Sequence, residues 1–126
     1  MRRGCRQRSD EGAGLAQKVT VNYSLQVIEV RQTEVFADWL RRLRDENARA
    51  RIQVRIRRLS LGNFGDVKPV GGDVGELRID YGPGYRVYFC KRGESVVLLL
   101  AGGTKKTQEA DIAKAKKFAQ EWKESA

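Results

Sequence analysis

Arg78 and Arg86 lie in the stretch ELRIDYGPGYRVYF, residues 76–89, on either side of a turn built from Gly82, Pro83 and Gly84. Taking GPG as a three-residue loop closed by Tyr81 and Tyr85, a length common in antiparallel hairpins, pairs Ile79 with Val87, Leu77 with Phe89, Asp80 with Arg86 and Arg78 with Tyr88. One face of the hairpin then carries Leu77, Ile79, Tyr81, Tyr85, Val87 and Phe89, which must lie on helices. The other carries Glu76, Arg78, Asp80, Arg86, Tyr88 and Cys90. Lys105 and Lys106 follow the next apolar run in GGTKKTQ, and Lys68 belongs to a neighbouring strand. Cations gathered on one face grip a phosphate by Coulomb attraction and by the forked guanidinium geometry, and they stabilise the charge that builds up in phosphoryl transfer. A plainer role is also open: Arg86 paired with Asp80 across the strands is an exposed contact worth under about 1 kcal/mol.

The elements that must position these groups can be read on both sides of the hairpin. SLQVIEVR, residues 24–31, alternates imperfectly and predicts a strand. Thr33 offers a capping hydroxyl, and Val35, Phe36, Trp39, Leu40 and Leu43 fall at helical spacing. Asp45, Glu46 or Asn47 can cap a second helix with its stripe at Ala48, Ile52, Ile56 and Leu59, stopped by Gly62 and Asn63. So short a connection predicts a hairpin of helices. Arg51, Arg55 and Arg58 stack along one side of the second helix, as a solvated face or as a surface for an acidic partner or a phosphate backbone. Pro69 consigns DVKPV, residues 66–70, to a sheet edge. SVVLLLA lacks alternation and predicts a strand buried on both faces in the middle of the sheet. Thr107 caps a final helix with Ile112, Ala115, Phe118, Ala119 and Trp122 on its buried stripe.

A chain of 126 residues suits one compact domain. Residues 1–18 mix Arg, Gly, Ser and acids without an apolar period and read as a disordered basic tail, leaving residues 19–126 as the domain. A net charge of +9 implies attraction to polyanions or to an acidic partner. Histidine is absent, which removes the usual zinc ligand and the usual general base; Cys5 and Cys90 alone support neither a disulfide framework nor a CxxC pair. The expectation is therefore no metal, no cofactor and a cytoplasmic location. No apolar run approaches the roughly 20 residues that span a bilayer, so no membrane contact is expected.

FADWLRRLRDENARARI, RIRRLSLGNFGDVKPVGGDVGELRIDYGPGYRVYF and VVLLLAGGTKKTQEADIAKAKKFA carry a resemblance, over about residues 26–124, to the RelE/ParE superfamily of bacterial type II toxins. Within it the sequence resembles the HigB-like addiction module killer protein group. The resemblance implies an α+β, RelE-like fold: two N-terminal helices packed on a small, mostly antiparallel twisted sheet with a C-terminal helix. It also implies an activity, cleavage of mRNA on the ribosome by turning a ribose 2′-hydroxyl against the adjacent phosphate. The arginine of the family's GYR motif is Arg86 here, the basic residue of the preceding strand is Arg78, and the basic position after the central strand is Lys105 or Lys106. Ile112 stands where RelE bears a functional tyrosine, and the histidines of other HigB proteins have no counterpart.

Two readings follow. In the first the protein is a metal-independent mRNA endoribonuclease acting in the A site of the 70S ribosome. Arg78 and Arg86 hold the scissile phosphate, Lys105 or Lys106 assists proton transfer, and Tyr88 or Tyr81 serves as acid. Lys68 and the second helix, through Arg51, Arg55 and Arg58, hold RNA. In the second it is a ParE-like inhibitor of DNA gyrase that does no chemistry. Either reading implies a cognate helix-turn-helix antitoxin whose acidic segment covers the cations, with DNA reached only through that complex. Replacement of Arg86 by Ala is expected to leave the fold intact, because the side chain points off the apolar face.

Overall fold

The structure, a computed structural model, describes residues 28–125. The tail expected over 1–18 and the start of the strand expected at 24 lie outside the described residues. Strand β1 (Glu29–Gln32) leads into helices α1 (Glu34–Arg42) and α2 (Glu46–Ser60). Strands β2 (Val67–Gly71), β3 (Val74–Ile79), β4 (Tyr85–Arg92) and β5 (Val96–Thr104) follow, and a 3-10 turn (Lys105–Thr107) opens into helix α3 (Gln108–Glu124). The sheet order is β1-β5-β4-β3-β2, antiparallel throughout except for the parallel pair β1 and β5. This is the expected α+β architecture. No helix among the described residues is long and apolar enough to cross a membrane.

Helix α1 starts at its expected cap, Thr33, and of the three candidates for α2 it is Asp45 that caps. The Thr33 hydroxyl accepts from Phe36 N–H at 3.0 Å and donates to the Leu100 carbonyl at 2.7 Å, so one side chain caps α1 and ties it to β5. Asp45 accepts from the Asn47 and Ala48 amides at 3.0 and 3.1 Å at the start of α2. Phe36, Ala48, Ile52 and Leu59 from these helices bury against Leu77, Ile79, Tyr85, Val87, Phe89, Val97 and Leu99 on one face of the sheet. The opposite face carries a second core, in which Val74, Tyr88, Cys90, Leu98 and Leu100 meet Ala115 and Ala119 of α3. Strand β5 is accordingly apolar on both sides, as its missing alternation implies.

Two glycines in β5 set how closely the helices approach. A Cβ on Gly102 would sit 2.2 Å from the Trp39 ring, and one on Gly103 would sit 1.8 Å from Asp111 Oδ2. The first admits α1 on one face and the second admits the start of α3 on the other. A bulge at Tyr88/Phe89 shifts the β4–β5 register.

Two expectations are corrected. The hairpin turn is longer than GPG: Ile79 pairs with Tyr85, Leu77 with Val87, Arg78 with Arg86 and Glu76 with Tyr88, which leaves residues 80–84 as the loop. Asp80 and Tyr81 leave the ladder, the Tyr81 ring lying under Arg51 of α2, while Tyr85 takes Ile79 as its partner with its ring edge-on to Trp39; the loop is closed by Gly84 N–H donating to the Tyr81 carbonyl at 3.1 Å. The register moves by an even number of positions, so the division into faces survives while the cross-strand partners change. Asp80 is no longer opposite Arg86. The second correction concerns the polar face, which is not open along its length: α3 covers Glu76, Tyr88 and Cys90 and leaves the turn end uncovered.

Candidate functional site

The uncovered end of the hairpin forms a cleft of about 360 Å³ into which Arg78, Arg86 and Lys105 project around Gly82, Pro83 and Gly84, with Asp66 and Asp80 at its sides. Strand pairing places Arg78 and Arg86 side by side, and Gly103 of β5 is the next position in the row. Lys105 arrives because its amide donates to the Gly84 carbonyl at 2.8 Å, which fastens the start of the 3-10 turn to the hairpin loop. Gly84 has a φ of 81°. A Cβ there would make only ordinary contact with Arg86 Nη1 and the Lys105 Cβ, at 3.4 and 3.5 Å, so it is the left-handed backbone rather than crowding that favours glycine.

The two arginines are held differently. Arg78 makes an ion pair with Asp66 at 3.0 Å in an exposed setting, supported by the Arg78 amide donating to the Asp66 carbonyl. Arg86 is only 13% exposed, and beneath it lies the fully buried carboxylate of Glu76, with Arg86 Nε 3.9 Å from Glu76 Oε1. Glu76 Oε2 accepts from the Tyr88 hydroxyl at 3.0 Å and from Gln108 Nε2 of α3 at 2.6 Å. Burial, reinforced by that hydrogen bond and the nearby Glu76 charge, pushes the Tyr88 hydroxyl far above its ordinary range. Tyr88 therefore sits in the second core, holding its proton against a carboxylate rather than offering it to the cleft. The ground for expecting Arg86→Ala to leave the fold intact is corrected, since the side chain is largely buried beside a buried carboxylate that the change deprives of its counter-charge.

The remaining expected residues divide. Lys106 is exposed and does not line the cleft, and Lys68 lies opposite Glu76 on the edge strand, exposed and outside it. Arg51, Arg55 and Arg58 line a second groove of about 460 Å³ between α2 and the hairpin. Asp80 borders both hollows, so they are neighbours on one surface. Arg51 lies 4.5 Å above the Tyr81 ring. Arg55 is structural as well as cationic: it donates to the carbonyls of Arg78, Phe64 and Asp66, and burial pulls its pKa below the usual arginine value. A larger apolar groove of about 670 Å³ borders β2 and β3 past Phe64 and Phe89, away from the clustered cations.

Glu76, Gln108 and Asp66 were not singled out by the sequence. Glu76 shares a strand face with Arg78 two positions on, which is visible in the letters ELR. Its burial under α3 and its partner Gln108, 32 residues away, are not.

These features define a small α+β protein with a cation-lined cleft at one end of its sheet. The chain belongs to the phage-derived Gp49-like family (DUF891), whose model matches residues 38–123. A curated relative, an uncharacterized protein of Haemophilus influenzae (strain ATCC 51907 / DSM 11121 / KW20 / Rd), is 49% identical over 94 residues, covering 75% of this chain and 95% of that protein. Among solved structures, a double arginine-to-alanine mutant of the E. coli toxin RelE in the free state superposes with a TM-score of 0.59 at 18% identity. The match covers 72% of this chain and 96% of that one. The fold is thus RelE-like.

Proposed function

We propose that this protein is the toxin of a type II toxin–antitoxin module, of the HigB-like addiction module killer kind, and that it cuts mRNA on the ribosome. The observation that carries this reading is the convergence of Arg78, Arg86 and Lys105 on one cleft. In it the guanidinium groups hold the two non-bridging oxygens of a phosphodiester. The ribose 2′-oxygen attacks phosphorus and the phosphorus–O5′ bond breaks, leaving a 2′,3′-cyclic phosphate and a 5′-hydroxyl. Asp80 takes the 2′-hydroxyl proton and the Lys105 ammonium supplies one to O5′. The cations stabilise the extra charge on the pentavalent phosphorus. RNA on either side of the cut runs past Asp80 into the groove of Arg51 and Arg58. Arg55, engaged with backbone carbonyls, shapes that groove, while Lys68 and Lys106 stand by as outlying phosphate contacts. The partner is an antitoxin with a helix-turn-helix domain and an acidic segment that fills the cleft.

A second reading, inhibition of DNA gyrase without chemistry, draws support from Tyr88, whose buried hydroxyl leaves the cleft without a tyrosine acid. Primer extension on mRNA from cells expressing the protein separates the two. New 5′ ends within coding sequence, with gyrase supercoiling unimpaired, support the nuclease. Impaired supercoiling with intact mRNA overturns it.

A further inference from the structure

We infer that Glu76 is a positioning residue for the cleft: a buried carboxylate, locked by Tyr88 and Gln108, that aims the Arg86 guanidinium. The inference rests on the nuclease reading for its consequence in catalysis, and on geometry alone for its structural part.

Among the buried side-chain polar atoms of the described residues, only Glu76 Oε1 and Arg86 Nε lack a hydrogen-bond partner. These two atoms face each other at 3.9 Å, a charge pair longer than a hydrogen bond. The other carboxylate oxygen is doubly engaged, by a tyrosine on β4 and a glutamine in the first turn of α3. Glu76 is thereby fixed in rotation, and its free oxygen faces the inner edge of the guanidinium. The outer edge is also fixed, because Arg86 Nη1 donates to the Tyr85 carbonyl at 3.2 Å and lies against Gly84 beside Lys105. Held at Nε by charge and at Nη1 by the backbone, the guanidinium plane presents its remaining donors to the cleft. A side chain with several rotatable bonds is otherwise a poor holder of a transition state, since misplacement by about 1 Å can cost roughly 100-fold in rate. Sequence from the far end of the chain, Gln108, thus sets the aim of an arginine in the hairpin.

The test uses the full chain in two readouts. In the first, mRNA cleavage on purified ribosomes is timed for the wild type, Glu76→Gln, Arg86→Lys and the double variant. Glu76→Gln keeps the shape and an acceptor oxygen while removing the charge. It is expected to lower kcat roughly 10- to 100-fold with KM little changed, and to have no further effect beside Arg86→Lys, whose ammonium has no Nε–H to aim. An equal loss in both backgrounds, or a wild-type rate for Glu76→Gln, overturns the inference. In the second readout, which needs no cleavage, the Arg86 Nε–H is followed by NMR and assigned by its absence in Arg86→Lys. It should be resolved and protected in the wild type and exchange-broadened in Glu76→Gln; an unchanged signal overturns the inference whether or not the protein is a nuclease. Tyr88→Phe, which removes one anchor of Glu76 and keeps the ring, should show the same broadening in weaker form, so the question remains answerable if Glu76→Gln does not fold. A wild type that cuts no mRNA, with the NMR result as expected, refutes the nuclease reading and leaves the positioning role standing.

Discussion

Arg78 and Arg86 occupy directly opposed positions on neighbouring strands, where like charges repel, so each needs a counter-charge that leaves part of its guanidinium available. Asp66 does this from solvent for Arg78, and Glu76 does it from the interior for Arg86. The consequences for mutation differ. Arg86→Ala leaves the buried Glu76 carboxylate with its two hydrogen bonds but no counter-charge, and urea denaturation should show a loss of about 3 kcal/mol. Arg78→Ala gives up an exposed pair and should cost about 1 kcal/mol or less. Cys90 supplies a pH test of the second core. Burial pushes its thiol up from 9.0 to about 11. The folded chain therefore keeps a proton that the unfolded chain has already lost, and stability should hold below pH 9 and fall as pH rises toward 11. The buried Tyr88 hydroxyl acts with the same sign above its own ordinary range. A stability that rises over this window would mean that Cys90 is not enclosed by α3.

At the scale of elements, the site exists because α3 stops short of the hairpin turn and β5 ends in glycines. Gly102→Ala should press on Trp39 and lift α1, and Gly103→Ala should press on Asp111, which accepts a 2.5 Å hydrogen bond from Thr107, and displace the start of α3. Each should cost about 1–3 kcal/mol in thermal or urea denaturation, the ordinary penalty for overpacking. The Gly103 variant should also weaken the cleft, since the 3-10 turn carrying Lys105 is part of the same segment. Helix starts at Thr33 and Asp45 and the edge position of Pro69 were legible because each depends on one side chain acting on its own neighbourhood. The faces of the hairpin were legible too, since parity survives an even shift in register. The turn length was not, because Tyr81 leaves the ladder to lie under Arg51, a residue of another element. Nor was the enclosure of Tyr88: alternation says which side a residue faces, not which helix will cover it.

Over the described part of the molecule, the cations gather in a preferred place. The cleft and the groove of Arg51 and Arg58 share Asp80 as a border and make one surface with two cationic floors. Binding of single-stranded RNA should therefore weaken with salt, and Arg51→Ala and Arg58→Ala should each reduce the slope of log K against log salt by about 0.7. Affinity measured by anisotropy over a salt series checks this; an unchanged slope would place the RNA elsewhere. The role of the cleft is tested most directly by the rate at which purified protein cuts mRNA on the ribosome when cleft cations are removed one at a time. Arg78→Ala and Lys105→Ala, which remove exposed side chains and should keep the fold, should each lower kcat by roughly 100-fold or more, whereas Lys91→Ala, beside the apolar groove, should not. Cleavage by the two cleft variants at the wild-type rate would contradict it.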